Sequence, residues 1–218
     1  MTNQTIVLRP KAIGCDFDFT VSYFVGGIDT ITKPFTKRGI SHEIAMLAEQ
    51  AAEERGFCLS VYLEEIEKIA GWPFAREVIE PEFRRWMAKT IRTYEDAQHA
   101  FEFWRTQSLD VVFITLGNKE YQLDKIAMSQ LPHRYAFVVD RDEAKWVHIN
   151  QLLQAHGAPV VYIDDKPEVL DHIRDQDKAG EVITVRAMRA ESPYHKAPAR
   201  HTHLEVSDLT LLVFEGDA

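Results

Sequence analysis

Cysteine is almost absent: Cys15 and Cys58 are the only two in 218 residues. So sparse a supply argues against a disulfide scaffold, two cysteines do not make a zinc site, and both read as small buried hydrophobes. No apolar run is long enough to cross a bilayer, and "MTNQTIVLRPKAIGC" lacks the basic-then-apolar pattern of a secretory signal. Repeats and low-complexity tracts are missing too. Basic residues are outnumbered, 25 Lys and Arg against 34 Asp and Glu, for a formal charge of −9. A field of that sign repels phosphate backbones and anionic lipid, which argues against nucleic acid and membranes as partners. A small phosphorylated substrate stays open if a local cation offsets the field. The expectation is a soluble, cytoplasmic protein, 45% hydrophobic and long enough for a full core plus a smaller second unit.

What is present falls into two patterns. "KAIGCDF" reads as a short buried strand, followed by two β-prone runs, "VSYFV" and "IDTIT", joined by Gly26-Gly27. Gly-Gly between such runs predicts a two-residue hairpin. Next comes a purely helical stretch. One helix is predicted from an N-cap at Ser41 to Gly56 and another from Ser60 to Gly71; a third has Pro81 in its first turn. From about residue 93, where Thr93 is a candidate cap, helices alternate with the strands "DVVFIT", "YAFVVD", "PVVYID" and "EVITVR". Such alternation predicts an α/β fold with a doubly wound, Rossmann-like, mostly parallel sheet. The expected organisation is an α/β core of residues 1–33 and 93–218, a β-hairpin flap after the first strand, and an inserted α-helical cap over 34–92.

The chemistry gathers at strand ends. The first strand ends in Asp16 and Asp18, "VVFI" in Thr115 with Asn118 following, and "VVYI" in Asp164 and Asp165. In an open α/β sheet, ligands bind outside the carboxyl ends of the strands. One acidic pair at a strand end is ordinarily a helix N-cap; two pairs and a threonine on one edge are hard to assign to capping alone. Four close carboxylates need a cation, and oxygen ligands in this number suit Mg²⁺.

The order D-x-D-x-T (Asp16, Asp18, Thr20 in "DFDFT"), Thr115 in "VVFITLGN", Lys145 in "DRDEAKWVHI" and Asp164-Asp165 in "VVYIDD" resembles the haloacid dehalogenase-like hydrolase superfamily, phosphatase type with a C1 helical cap. The resemblance covers roughly residues 10–33 and 93–190; the helices between match in placement and type. It implies Asp16 as nucleophile, Asp18 as general acid and base and, through its backbone carbonyl, a Mg²⁺ ligand. Thr115 and Lys145 would hold the phosphoryl oxygens, and Asp16, Asp165 and less directly Asp164 would complete the metal site. Members acting on carbon–halogen or carbon–phosphorus bonds generally lack the second Asp of the motif, so Asp18 favours phosphate esters. Lys119 and Lys125 are rivals to Lys145 but precede the strand that should come before the family lysine. Position 19 is Phe where many relatives carry Gly or another small residue.

Substrate choice is expected in the flap and cap. Thr20, Asn118, Lys33 and Arg38 are candidate substrate contacts, and Arg85, Lys89 and Arg92 form a basic stripe that also reads as a solvated helix face. His195, His201 and His203 are expected in an exposed loop. The sequence thus predicts a Mg²⁺-dependent phosphatase of a small phosphorylated metabolite. The alternatives are a phosphotransferase or phosphomutase sharing the Asp16 intermediate, and a non-catalytic Mg²⁺-binding regulatory module.

Overall fold

The computed structural model describes residues 4–73 and 75–215. Residues 1–3 and 216–218 of the expected core and residue 74 of the expected cap lie outside them. In chain order the strands are β1 (Ile6–Leu8), β2 (Ala12–Cys15), β3 (Ser22–Phe24), β4 (Ile91–Thr93), β5 (Val111–Leu116), β6 (Tyr135–Val139), β7 (Val160–Asp164), β8 (Val182–Ala187), β9 (Leu204–Val206) and β10 (Leu212–Phe214). The helices are α1 (Lys33–Thr36), α2 (His42–Glu54), α3 (Leu59–Ala70), α4 (Arg76–Thr90), α5 (Glu95–Thr106), α6 (Lys119–Ser129), α7 (Lys145–His156) and α8 (Pro167–Gln176).

Six strands form one parallel sheet in the order β6-β5-β2-β7-β8-β9. The first strand of that sheet, β2, lies at its centre. The chain winds outward from it through β5 and β6, then returns and winds the other way from β7. The winding reverses between β2 and β7, where open sheets of this kind have their binding crevice. Every residue of β2 and β7 is buried, as strands covered on both faces must be. One face packs Val112, Ile114 and Tyr162 under Ile149 and Leu152 of α7 and Leu170 and Ile173 of α8. Phe113 points the other way and stacks on Phe101 of α5, ring centroids 5.5 Å apart.

The chain divides into two compact units: residues 1–23, 93–116 and 129–218 in one, 24–92 and 117–128 in the other. The second is helical. Ser41 caps α2 by accepting the Ile44 N–H, and α3 ends at Gly71 in the left-handed conformation, φ 78°. Phe35, Tyr62, Phe83, Phe57 and Tyr121 form its aromatic centre, with Phe35 and Tyr62 rings 4.7 Å apart.

Several local expectations are corrected. "IDTIT" is not a strand but a 3-10 helix, Ile28–Thr32, and β3 pairs with β4 instead. Gly26 and Gly27 do take the positive φ a tight turn needs, 82° and 83°. The Thr30 hydroxyl then donates to the Gly27 carbonyl at 2.8 Å, a local bond that competes with a strand ladder. Pro81 lies inside α4 rather than in its first turn, because that helix starts at Arg76. Tyr94, not Thr93, is the N-cap of α5. The C-terminal stretch carries β9, on the edge of the main sheet, and β10, which pairs in parallel with β1.

Candidate active site

β2 and β7 run in parallel with Cys15 opposite Ile163, and the Asp16 N–H donates to the Ile163 carbonyl at 2.8 Å. The next residues, Asp16 and Asp164, therefore leave the two strands at one level and on one face. Lys145, the first residue of α7, reaches the same point. Its ammonium donates to Asp16 Oδ1 at 2.8 Å and to Asp164 Oδ2 at 2.9 Å. All three side chains are at least nine-tenths buried, Lys145 being 3% exposed.

Asp164 is held on every side. It also accepts from the Tyr162 hydroxyl at 2.9 Å and from the Lys166 N–H at 2.9 Å. Tyr162 can lie across the sheet because its partner on β2 is Gly14, where a Cβ would stand 2.9 Å from the ring. Asp165 takes different partners: Thr20 donates to Oδ1 at 3.4 Å, and Ser192 donates to Oδ2.

So many buried carboxylates repel one another. Burial pushes the Asp16 carboxyl well above the usual range; the Lys145 ammonium opposes that rise, and Asp164 and Asp165 add to it. Asp165 is pushed up to about 7 by burial and by Asp164. For Lys145, burial disfavours the ammonium, but Asp16 and Asp164 outweigh it and hold its pKa above the ordinary lysine value. One lysine neutralises part of this charge, and the remainder suits a hard cation. Asp16, Asp164 and Asp165 each offer an oxygen, all within 4.8 Å of one another, the one such group among the described residues. An all-carboxylate donor set fits Mg²⁺ and not a thiophilic metal. The Asp18 carboxylate is outside that group; its expected contribution is the backbone carbonyl.

Of the other candidates, Thr20 is fully buried beside Asp165. Thr115 is buried at the end of β5, two residues beyond Phe113, the partner of Cys15. Asn118, Lys33 and Arg38 belong to the helical unit. There Asn118 accepts the Tyr121 N–H as a helix cap, Lys33 is exposed at the start of α1, and Arg38 donates to Glu82 at 3.1 Å. The rival lysines lie elsewhere: Lys119 opens α6, and Lys125 is buried with its ammonium 4.8 Å from the centre of the Tyr121 ring. The basic stripe breaks at Arg92, which leaves the helix for β4 and donates to the Ala88 and Ile91 carbonyls.

Phe19 takes φ 55°, the left-handed region that favours glycine. That is a physical reason for the small residue usual at this position. The histidine tail is also corrected. His203 is buried, joined to Thr184 at 2.8 Å and to Asp171 at 3.1 Å, while His201 pairs with Asp175 near the surface. Sequence reasoning missed Tyr162, Arg189 and Ser192. A glycine opposite an aromatic on the neighbouring strand was a usable signal for Tyr162; nothing marked Ser192, 27 residues after Asp165.

No family model matches the chain, and no curated protein matches it in sequence. Solved structures do match in shape. An L-2-haloacid dehalogenase aligns over 93% of this chain and 96% of its own, with 16% identity and a TM-score of 0.63. A protein described as a phosphoglycolate phosphatase, from Haemophilus somnus, aligns over 96% of each chain at 11% identity and TM-score 0.56. A Thermotoga maritima protein described as a β-phosphoglucomutase aligns over 92% of this chain and 95% of its own, at 13% identity and TM-score 0.53. This is the haloacid dehalogenase-like fold. At such identities it is the fold that is shared; the haloacid dehalogenase-like architecture serves more than one reaction among these three proteins, so the reaction must be argued from the site.

Proposed function

We propose that the protein is a Mg²⁺-dependent phosphatase that hydrolyses a small phosphorylated metabolite through an aspartyl-phosphate on Asp16. The observation that carries this is the buried contact of Lys145 with Asp16 and Asp164 beside Asp165. A lysine there favours the ionised form of Asp16, which is the nucleophile, against the burial that disfavours it. It also leaves a positive group where phosphoryl oxygens would come to rest, with Thr115 on the neighbouring strand as a hydroxyl donor.

Asp16 attacks phosphorus in line with the leaving oxygen. Asp18, two residues on and half-buried, gives that oxygen a proton, then takes one from the water that cleaves the acyl phosphate. Asp16, Asp164, Asp165 and the Asp18 carbonyl would hold the Mg²⁺, which when bound supplies charge neutralisation for the phosphate. Asp18 is the feature that favours phosphate esters over carbon–halogen bonds. Phosphate release from p-nitrophenyl phosphate, with Mg²⁺ and with chelator, tests the reading. Metal-dependent turnover lost in Asp16→Asn supports it; release unaffected by that substitution contradicts it. Turnover that requires an added sugar hydroxyl would assign a phosphotransferase instead.

A further inference from the structure

Residues 189–197, between β8 and β9, form a strap against the site. Ser192 is 6% exposed, and its hydroxyl oxygen accepts the Tyr194 N–H at 3.0 Å while its proton goes to Asp165 Oδ2. A hydroxyl has one proton, so the amide contact turns that proton toward the carboxylate. Two buried arginines fix the strap without touching Asp165. Arg186 Nη2 donates to the Tyr194 and Ala197 carbonyls, both at 2.8 Å. Arg189 donates to the Thr20 carbonyl at 3.0 Å and the Ser207 carbonyl at 3.1 Å, pairs with Asp96 at 2.9 Å, and lies over the Tyr94 ring. Arg189 thus ties the strap to the far end of the "DFDFT" loop. Ser192 and Thr20 then grip Asp165 from opposite oxygens.

We propose that Ser192 is a positioning residue for the metal site: it holds Asp165 in the rotamer that presents its carboxylate to the cluster with Asp16 and Asp164. The inference rests on Asp165 being a Mg²⁺ ligand. Carboxylates that ligate metals are themselves oriented by hydrogen bonds, and losing such a partner typically weakens metal affinity by about 10- to 100-fold.

The test is calorimetric titration of Mg²⁺ into the wild type, Ser192→Ala and Ser192→Gly, with p-nitrophenyl phosphate turnover measured against Mg²⁺ concentration. Both variants lack the hydroxyl and add no bulk, so either serves if the other does not fold. The expected result is Mg²⁺ affinity weaker by about tenfold or more, with kcat recovered at saturating Mg²⁺. A general loosening of the fold is read separately, as a lower melting temperature in chelator, because an ion that binds the folded state also shifts the folding equilibrium. Wild-type affinity in the variants overturns the proposal and leaves the metal reading standing. A wild type that takes up no Mg²⁺ overturns both.

Discussion

The ammonium of Lys145 lies 2.8 Å from Oδ1 of Asp16, although 129 positions separate the two in the chain. The contact joins the central strand to the first turn of a helix from the other half of the winding. Together with the contact from the same ammonium to Asp164 at 2.9 Å, it offsets part of the repulsion among the three buried carboxylates. Removing it should therefore be felt in stability as well as in activity.

Replacing Lys145 with Met leaves Asp16 and Asp164 buried without their cation. Breaking a buried ion pair from one side costs about 3–5 kcal/mol, and losing a phosphoryl-oxygen donor lowers turnover by about 10²–10³-fold. A urea midpoint measured in chelator should fall, and added Mg²⁺ should restore part of it. An unchanged midpoint would contradict the electrostatic role.

Gly14→Ala places a methyl 2.9 Å from Cδ2 of Tyr162 and 3.3 Å from Cδ1 of Ile114. Neither neighbour can retreat within a fully buried sheet, so overpacking should cost about 1–3 kcal/mol. The Tyr162 hydroxyl would move off Asp164, and turnover should fall together with the melting temperature.

Much of this arrangement is legible in the chain. "VVFI" and "VVYI" read as doubly covered strands because they are apolar without alternation, and their polar ends then had to meet at one edge. Lys145 could be picked out because it heads the helix after the correct strand. Long-range, side-chain-only links were not legible: nothing around Ser192 or Arg189 marks them, since their partners are set by how a loop crosses the sheet edge. "IDTIT" failed for a different reason. Its β-branched residues fit a strand, but a threonine hydroxyl bonding three residues back, to Gly27, closes a tight turn first.

Tyr162→Phe removes one hydroxyl and little volume. The lost bond is to a carboxylate, worth about 1.5–3 kcal/mol. The expected outcome is a lower melting temperature and reduced kcat, with KM for p-nitrophenyl phosphate unchanged. A variant as stable as the wild type would show that Asp164 finds another donor.

Asp165 sets a pH dependence. Its pKa stands at about 7 in the folded protein, against about 4 for an unfolded aspartate. Between these values the folded state binds the extra proton, so this group's contribution to stability falls as pH rises from about 4 to about 7. Asp165→Asn removes that penalty. In chelator, the variant's melting temperature should gain on the wild type's across this window and then level off. A difference that is flat with pH would contradict the assignment.

The most direct test of the chemistry is the site of covalent phosphate. Enzyme mixed with a phosphate-monoester substrate and Mg²⁺, quenched in acid during turnover and digested, should yield a hydroxylamine-labile phosphate on the peptide containing Asp16. Asp16→Asn should yield none. Turnover with no acyl phosphate, or with the label on another residue, would contradict Asp16 as the nucleophile.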